Sequence, residues 1–223
     1  MRSGSRSLGS VAGSRSHAPA ALAALAFLVL AGLASNGRAA APAKEKTAAA
    51  TDTVRMLETA AQKDTNSYEK AYRLGVAYLD RDRPLEAAGM FTRATRLRPK
   101  EVKAWVNLGA AEDALGRGSD ARVAYRKALA LDATDEIALC RIGASLYAGG
   151  QKTAAMDTLR LSLKQHPNSY CTYFTLGVAF ADAQIYHEAI RAWEKVIELA
   201  PNSPEAVSAK ESISTLKELM KTP

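Results

Sequence analysis

The sequence predicts an all-α protein, a solenoid of about four helical hairpins with a leading half-repeat helix and a C-terminal capping helix. Three observations predict it. Glycine recurs every 34 residues, at Gly75, Gly109, Gly143 and Gly177, each behind a large aliphatic residue: Leu74, Leu108, Ile142 and Leu176. Twelve residues on stand Ala87, Ala121, Ala155 and Ala189, and four further on Phe91, Tyr125, Leu159 and Trp193. Within each unit the apolar residues recur at three and four, the helical period, in two stretches separated by a break.

The composition agrees with a folded chain. Of 223 residues 48% are hydrophobic and 24% charged, with 2 Cys, which excludes collagen, a dense disulfide scaffold and a wholly disordered chain. A multi-span membrane protein is excluded too, because only Ala18 to Ala34 runs long without a charge.

Taken in order, residues 1–39 read as an export signal. Arg2, Arg6 and Arg15 precede the apolar run Ala20 to Ala34, and small residues, Gly37 and Ala39, then mark a cut after Ala39. The apolar run is short against the roughly 20 residues of a spanning helix, so an uncleaved anchor facing the periplasm is the alternative. Without residues 1–39 the net charge falls from +7 to +3, with 26 basic and 23 acidic groups, which gives no general argument for nucleic-acid binding. Residues 40–51, APAKEKTAAAT, small and polar, read as a flexible linker. From Asp52 to Lys63, Leu57 and Ala60 keep the phase of a second helix, so this segment is the leading half-unit of a solenoid spanning 52–221.

In each full unit the Gly and the first Ala lie where two helices of one hairpin approach closely, and the large residue fills the gap to the neighbouring unit. Pro99, Pro167 and Pro201 stop second helices. Ser203-Pro204-Glu205 opens the last helix with a capping residue, a first-turn proline and an early acid. There Lys210 and Glu211 replace the Leu-Gly pair, as expected of a polar cap over 203–221.

These residues closely resemble the tetratricopeptide repeat family, whose W-x2-L-G-x2-Y, A-x3-F and P pattern is matched in four consecutive units, 68–101, 102–135, 136–169 and 170–203. Ala71 and Leu139 depart at the first aromatic, Glu112 at the Tyr and Ala133 at the Pro. The resemblance implies a right-handed α-solenoid whose first helices line a concave groove through positions 2, 5, 9, 12 and 13 of each unit. Carried over, that face comprises Glu69, Tyr72, Val76, Leu79 and Asp80, then Lys103, Val106, Ala110, Asp113 and Ala114. It continues with Ile137, Cys140, Ala144, Tyr147 and Ala148, and ends with Cys171, Phe174, Val178, Ala181 and Asp182. The expected groove is a largely apolar trough with a few acids, suited to a peptide or partner protein. Tyr72 and Val76 stand where family members that clasp a terminal carboxylate carry Lys and Asn, which argues against that ligand; Asn107 alone matches. By repeat phase, Trp105 and Trp193 are packing residues.

Catalytic chemistry finds no support. After residue 39 only His166 and His187 remain, with no ligand pair, and there is no CxxC, HExxH or GxSxG. Gly149-Gly150-Gln151-Lys152-Thr153 is a hairpin turn rather than a phosphate loop. No cofactor, metal or catalytic residue is expected. The function predicted is a non-catalytic protein-binding scaffold of the cell envelope, most simply the bacterial periplasm; the alternative is a self-associating structural protein whose groove is filled by its own chain or another copy. Arg93, Arg96, Arg98, Lys100 and Lys103 cluster at the first repeat junction and read as a solvated exterior. Cys140 and Cys171 fall on neighbouring first helices, but axes 8 to 10 Å apart, against the roughly 7 Å a disulfide tolerates between α-carbons, argue against a bridge.

Overall fold

The computed structural model describes residues 46–221, which form ten helices and no strand. The export-signal reading of residues 1–39 lies outside the described residues. A lone helix, α1 (Lys46–Lys63), leads into four hairpins: α2 (Tyr68–Leu79) with α3 (Pro84–Leu97), α4 (Val102–Ala114) with α5 (Gly118–Leu131), α6 (Glu136–Ala148) with α7 (Lys152–Gln165), and α8 (Tyr170–Asp182) with α9 (Tyr186–Leu199). A last helix, α10 (Pro204–Leu219), follows. The leading helix starts at Lys46, inside the stretch expected to be a linker. Ala48, Ala49 and Ala50 have the highest helix propensity of any residue type, so a helix nucleated by Val54 and Ala61 against α2 propagates back through them.

The periodic glycines are contact points within each hairpin. A Cβ on Gly75 would lie 2.8 Å from the Phe91 ring and one on Gly143 2.7 Å from Leu159, while at Gly109 and Gly177 it would meet the rings of Tyr125 and Trp193. The large residue of the second helix therefore seats on the glycine of its own hairpin, and reaches the neighbouring unit only with its remaining surface, as Phe91 does beside Ala111. Ala87, Ala121, Ala155 and Ala189 are all fully buried, since a larger side chain there would hold the two axes apart.

Two kinds of turn join the helices. Within hairpins, Asp82, Gly116, Gly150 and Gln184 have φ of 54°, 73°, 76° and 62°, a left-handed residue repeating with the period of the units. Lys152 starts α7 directly after the second glycine turn, so the phosphate-loop lookalike is a turn. Between repeats, side chains cap the first helices: Ser67 Oγ accepts the Lys70 N–H at 3.3 Å, Asp135 the Ala138 N–H at 2.7 Å and Ser203 the Ala206 N–H at 3.0 Å. Ser169 is turned inward instead. It accepts the Thr172 hydroxyl at 3.0 Å, and Thr172 Oγ1 lies 2.8 Å from Ser162 Oγ, a buried hydroxyl chain tying α7 to α8.

Both ends are closed by their own chemistry. Arg93 on α3 donates to the Thr65 carbonyl at 2.8 Å and to those of Ala61 and Asp64 at 3.1 Å, capping the C-terminus of α1 from the next hairpin. At the other end α10 buries Ala206, Ala209, Ile213 and Leu216 and leaves Lys210, Glu211, Lys217 and Glu218 exposed, as a terminal cap must.

Candidate functional site

First helices touch first helices, α2 with α4, α4 with α6 and α6 with α8, whereas no comparable packing joins successive second helices. A stack that closes on one side and opens on the other is curved, with the first helices on its inner side. By repeat phase the expected residues belong to this side, but lateral packing has absorbed much of the apolar set. Phe174 is 2% exposed, Val178 3% and Cys140 0%. Val106, Ala110, Ala144, Tyr147 and Ala181 are buried as well. Solvent meets Glu69, Asp80, Lys103, Ala148, Asp182 and Ile137, the last 57% exposed, with Tyr72, Val76, Leu79, Asp113, Ala114 and Cys171 half-buried. The expectation of an oily trough is thus corrected to a mixed strip, because positions 5, 9 and 12 are where adjacent first helices meet one another.

Most of the inner-face acids are answered inside the chain. Arg98 donates to Glu69 at 2.8 Å while its guanidinium lies 4.5 Å from the Tyr68 ring centre. Asp113 accepts the Tyr125 hydroxyl at 2.9 Å and the Ser145 hydroxyl at 3.0 Å; burial raises its pKa, opposed by these two bonds. Burial and the neighbouring Asp113 charge push the Tyr125 phenol well up. Asp182 accepts from Lys152 Nζ and from the Tyr147 hydroxyl, both at 2.6 Å, and these bonds hold its carboxyl below the usual aspartate range. Between the first two repeats the Asn107 amide donates to Tyr72 Oη at 2.8 Å and to the Lys103 carbonyl at 3.0 Å.

Cys140 and Cys171 are joined by a disulfide, with α-carbons 6.1 Å apart. The expectation against a bridge fails because an axis spacing averages along two helices. Here position 5 of one first helix faces position 2 of the next, and two small cysteine side chains let the backbones approach. The tryptophans act as expected of packing residues. Trp193, 3% exposed, donates to the Phe174 carbonyl at 3.3 Å, and Trp105 to the Pro99 carbonyl at 2.8 Å. His166 Nε2 lies 2.6 Å from the Thr134 carbonyl and so ties one inter-repeat turn to the next.

Among the described residues no group of three or more His, Cys, Asp or Glu could hold a metal ion, and no helix is long and apolar enough to cross a membrane. The expected inner face omits the sixth position of each unit, held by Arg73 in the first; Asn107, at the sixth position of the second, enters there only as a match to the carboxylate-clasping members. The Asn107 bond to Tyr72 shows that this position borders the inner face. The 34-residue phase would have placed both there, had the sixth position been counted.

Family models described as tetratricopeptide repeat match residues 72–136, 138–169 and 172–203. The cytochrome c-type biogenesis protein CycH of Pseudomonas aeruginosa is 32% identical over 127 residues, 56% of this chain and 31% of that protein. A peroxisomal targeting signal receptor of Komagataella phaffii is 34% identical over 90 residues, 40% of this chain and 16% of the receptor. The chain thus spans less than a third of the length of either relative. Among solved structures, a thermophilic TPR protein of Thermus thermophilus superposes with a TM-score of 0.64 at 16% identity, covering 74% of this chain and 90% of that one. MamA gives 0.59 at 20% identity over 73% and 96%, and YrrB, titled a TPR protein with an unusual peptide-binding site, 0.54 at 21% over 74% and 86%. These likenesses concern the fold. With four phased hairpins, glycines seated under large residues and family models over most of the stack, the chain belongs to the tetratricopeptide repeat family.

Proposed function

We propose that the protein is a non-catalytic interaction scaffold of the cell envelope that holds a peptide or partner protein along its inner face. The observation that carries this reading is the lateral packing of the first helices, which gives the stack a concave side. Repeat phase assigns to that side exposed Ile137 and Lys103 and half-buried Tyr72, Val76, Leu79 and Cys171. Proteins similar to this chain include a targeting signal receptor and a structure titled for a peptide-binding site, and both descriptions concern recognition of a partner. Placement in the envelope is supported by two independent features, the signal-like residues 1–39 and a cysteine pair at bridging distance, which suits an oxidising compartment.

Capture of partners from the envelope fraction tests the scaffold reading. Tyr147 and Phe174 are buried and would report on folding, so the informative variant is Val76→Asp/Ile137→Asp. Val76 also packs against the core of the first hairpin, so the variant is expected to keep its fold with a somewhat lowered melting temperature and to lose the captured proteins; equal recovery would count against the inner face. Self-association is the competing reading, favoured by Met56, 72% exposed on α1. Sedimentation across a concentration series decides it, and a monomer throughout removes that option.

A further inference from the structure

The internal pairing of the inner-face acids changes the charge a partner meets over the first two repeats. Glu69 is engaged by Arg98, and Asp113 is turned into bonds with Tyr125 and Ser145, which leaves Asp80, at the C-terminal end of α2, as the exposed inner-face acid outside these pairings. Two cations of the same face, Arg73 and Lys103, are exposed. Arg73 borders this face because it holds in α2 the position from which Asn107 of α4 reaches Tyr72. Arg96 and Lys100, also exposed, extend the cationic strip around the turn between α3 and α4, and residues 93–103 carry five cations and one acid. Two of the five already have structural work, Arg93 as the cap of α1 and Arg98 on Glu69, which leaves Arg96, Lys100 and Lys103 facing water.

We infer that the inner face of the first two repeats takes an acid-bearing polypeptide segment, its carboxylates set against Arg73 and Lys103 and an apolar side chain against Tyr72 and Val76. The inference rests on the inner face being the binding surface and adds the chemistry of the partner. Charge complementarity selects the occupant. Residues 40–52 of the chain itself carry two lysines, one Glu and one Asp and so no net negative charge, and a second copy carries the same positive sign as the first. The apolar ring of Tyr72 and the Asn107 amide bonded to it suit a polypeptide better than a phospholipid headgroup, which needs neither.

Fluorescence anisotropy on the full chain tests it, with a labelled peptide of repeating Glu-Ser-Leu-Gly units and its counterpart with Lys in place of Glu. The acidic peptide is expected to bind more tightly, to weaken as salt is raised, and to lose roughly tenfold or more in affinity to Arg73→Glu/Lys103→Glu. Arg73→Gln/Lys103→Gln should lose less, and Arg126→Glu/Lys127→Glu, on the outer helix α5, should change binding by less than about twofold. Equal binding of the two peptides, or an equal loss from the outer pair, would overturn the inference. So would phosphatidylglycerol vesicles that bind more tightly than the peptide and are released by the same inner substitutions. Partner capture that depends on Val76 and Ile137 while the acidic peptide is ignored would overturn the inference and leave the scaffold reading standing.

Discussion

A single methyl group sets the spacing of each helix pair. At Gly109 an added Cβ would meet the Tyr125 ring, itself fully buried and bonded through its hydroxyl to Asp113, so neither partner can move aside. Gly109→Ala should therefore cost about 1–3 kcal/mol, read as a lowered denaturant midpoint. Gly89, exposed in α3 with nothing within 4 Å of its would-be Cβ, predicts the opposite: Gly89→Ala should stabilise by roughly 0.5–1 kcal/mol. Asp182 carries a pH prediction. Its folded pKa is depressed, so its contribution is present above the unfolded value and is lost as pH falls through the folded one. With its side chain 37% exposed the contribution is under about 1 kcal/mol. Asp182→Asn keeps an acceptor for Tyr147 and should be slightly less stable than wild type at neutral pH; urea titrations should show the gap closing below the usual aspartate range.

Among the elements, α1 depends most on another part of the chain, since its C-terminal carbonyls are bonded by Arg93 of α3. Arg93→Ala should speed amide exchange along α1 and leave α6 to α9 unchanged; equal deprotection of every hairpin would contradict the assignment. The left-handed turn positions offer a second check. Gln184, with φ of 62°, occupies a conformation that costs an L-residue about 1–2 kcal/mol, so Gln184→Gly should stabilise by up to about 1 kcal/mol after the added freedom of the unfolded chain is counted. What was legible in the sequence follows from this scale. The contact of Gly75 with Phe91, or Gly177 with Trp193, lies within one hairpin and repeats with its period, so residue spacing reveals it. The Arg93 cap, the Ser162–Thr172–Ser169 chain and the left-handed residues at 82 and 184 carry no such signature, because different side chains solve the same problem at each junction.

For the molecule as a whole, the decisive quantity is how closely the first helices approach one another. That distance emerges from the whole stack, which is why the sequence named the inner-face positions but not which of them neighbouring helices would cover. Phe174 and Val178 read as groove lining and are buried, while Ile137 is open. The Cys140–Cys171 bond pins the same distance between the third and fourth repeats, enclosing a whole second helix with a separation of 31 residues. Cys140→Ser/Cys171→Ser should lower stability by about 3–4 kcal/mol under oxidising conditions and by little under reducing ones, where wild type loses the bond too. A protein that works through its inner face meets its partner there and not along its outer helices. Site-specific photo-crosslinking in the envelope fraction checks this, with the reactive group placed at Ile137 on the inner side and, separately, at exposed Val123 on the outer helix α5. Adducts of a partner protein from position 137 and none from 123 are the predicted result; adducts from 123 with none from 137 would contradict it.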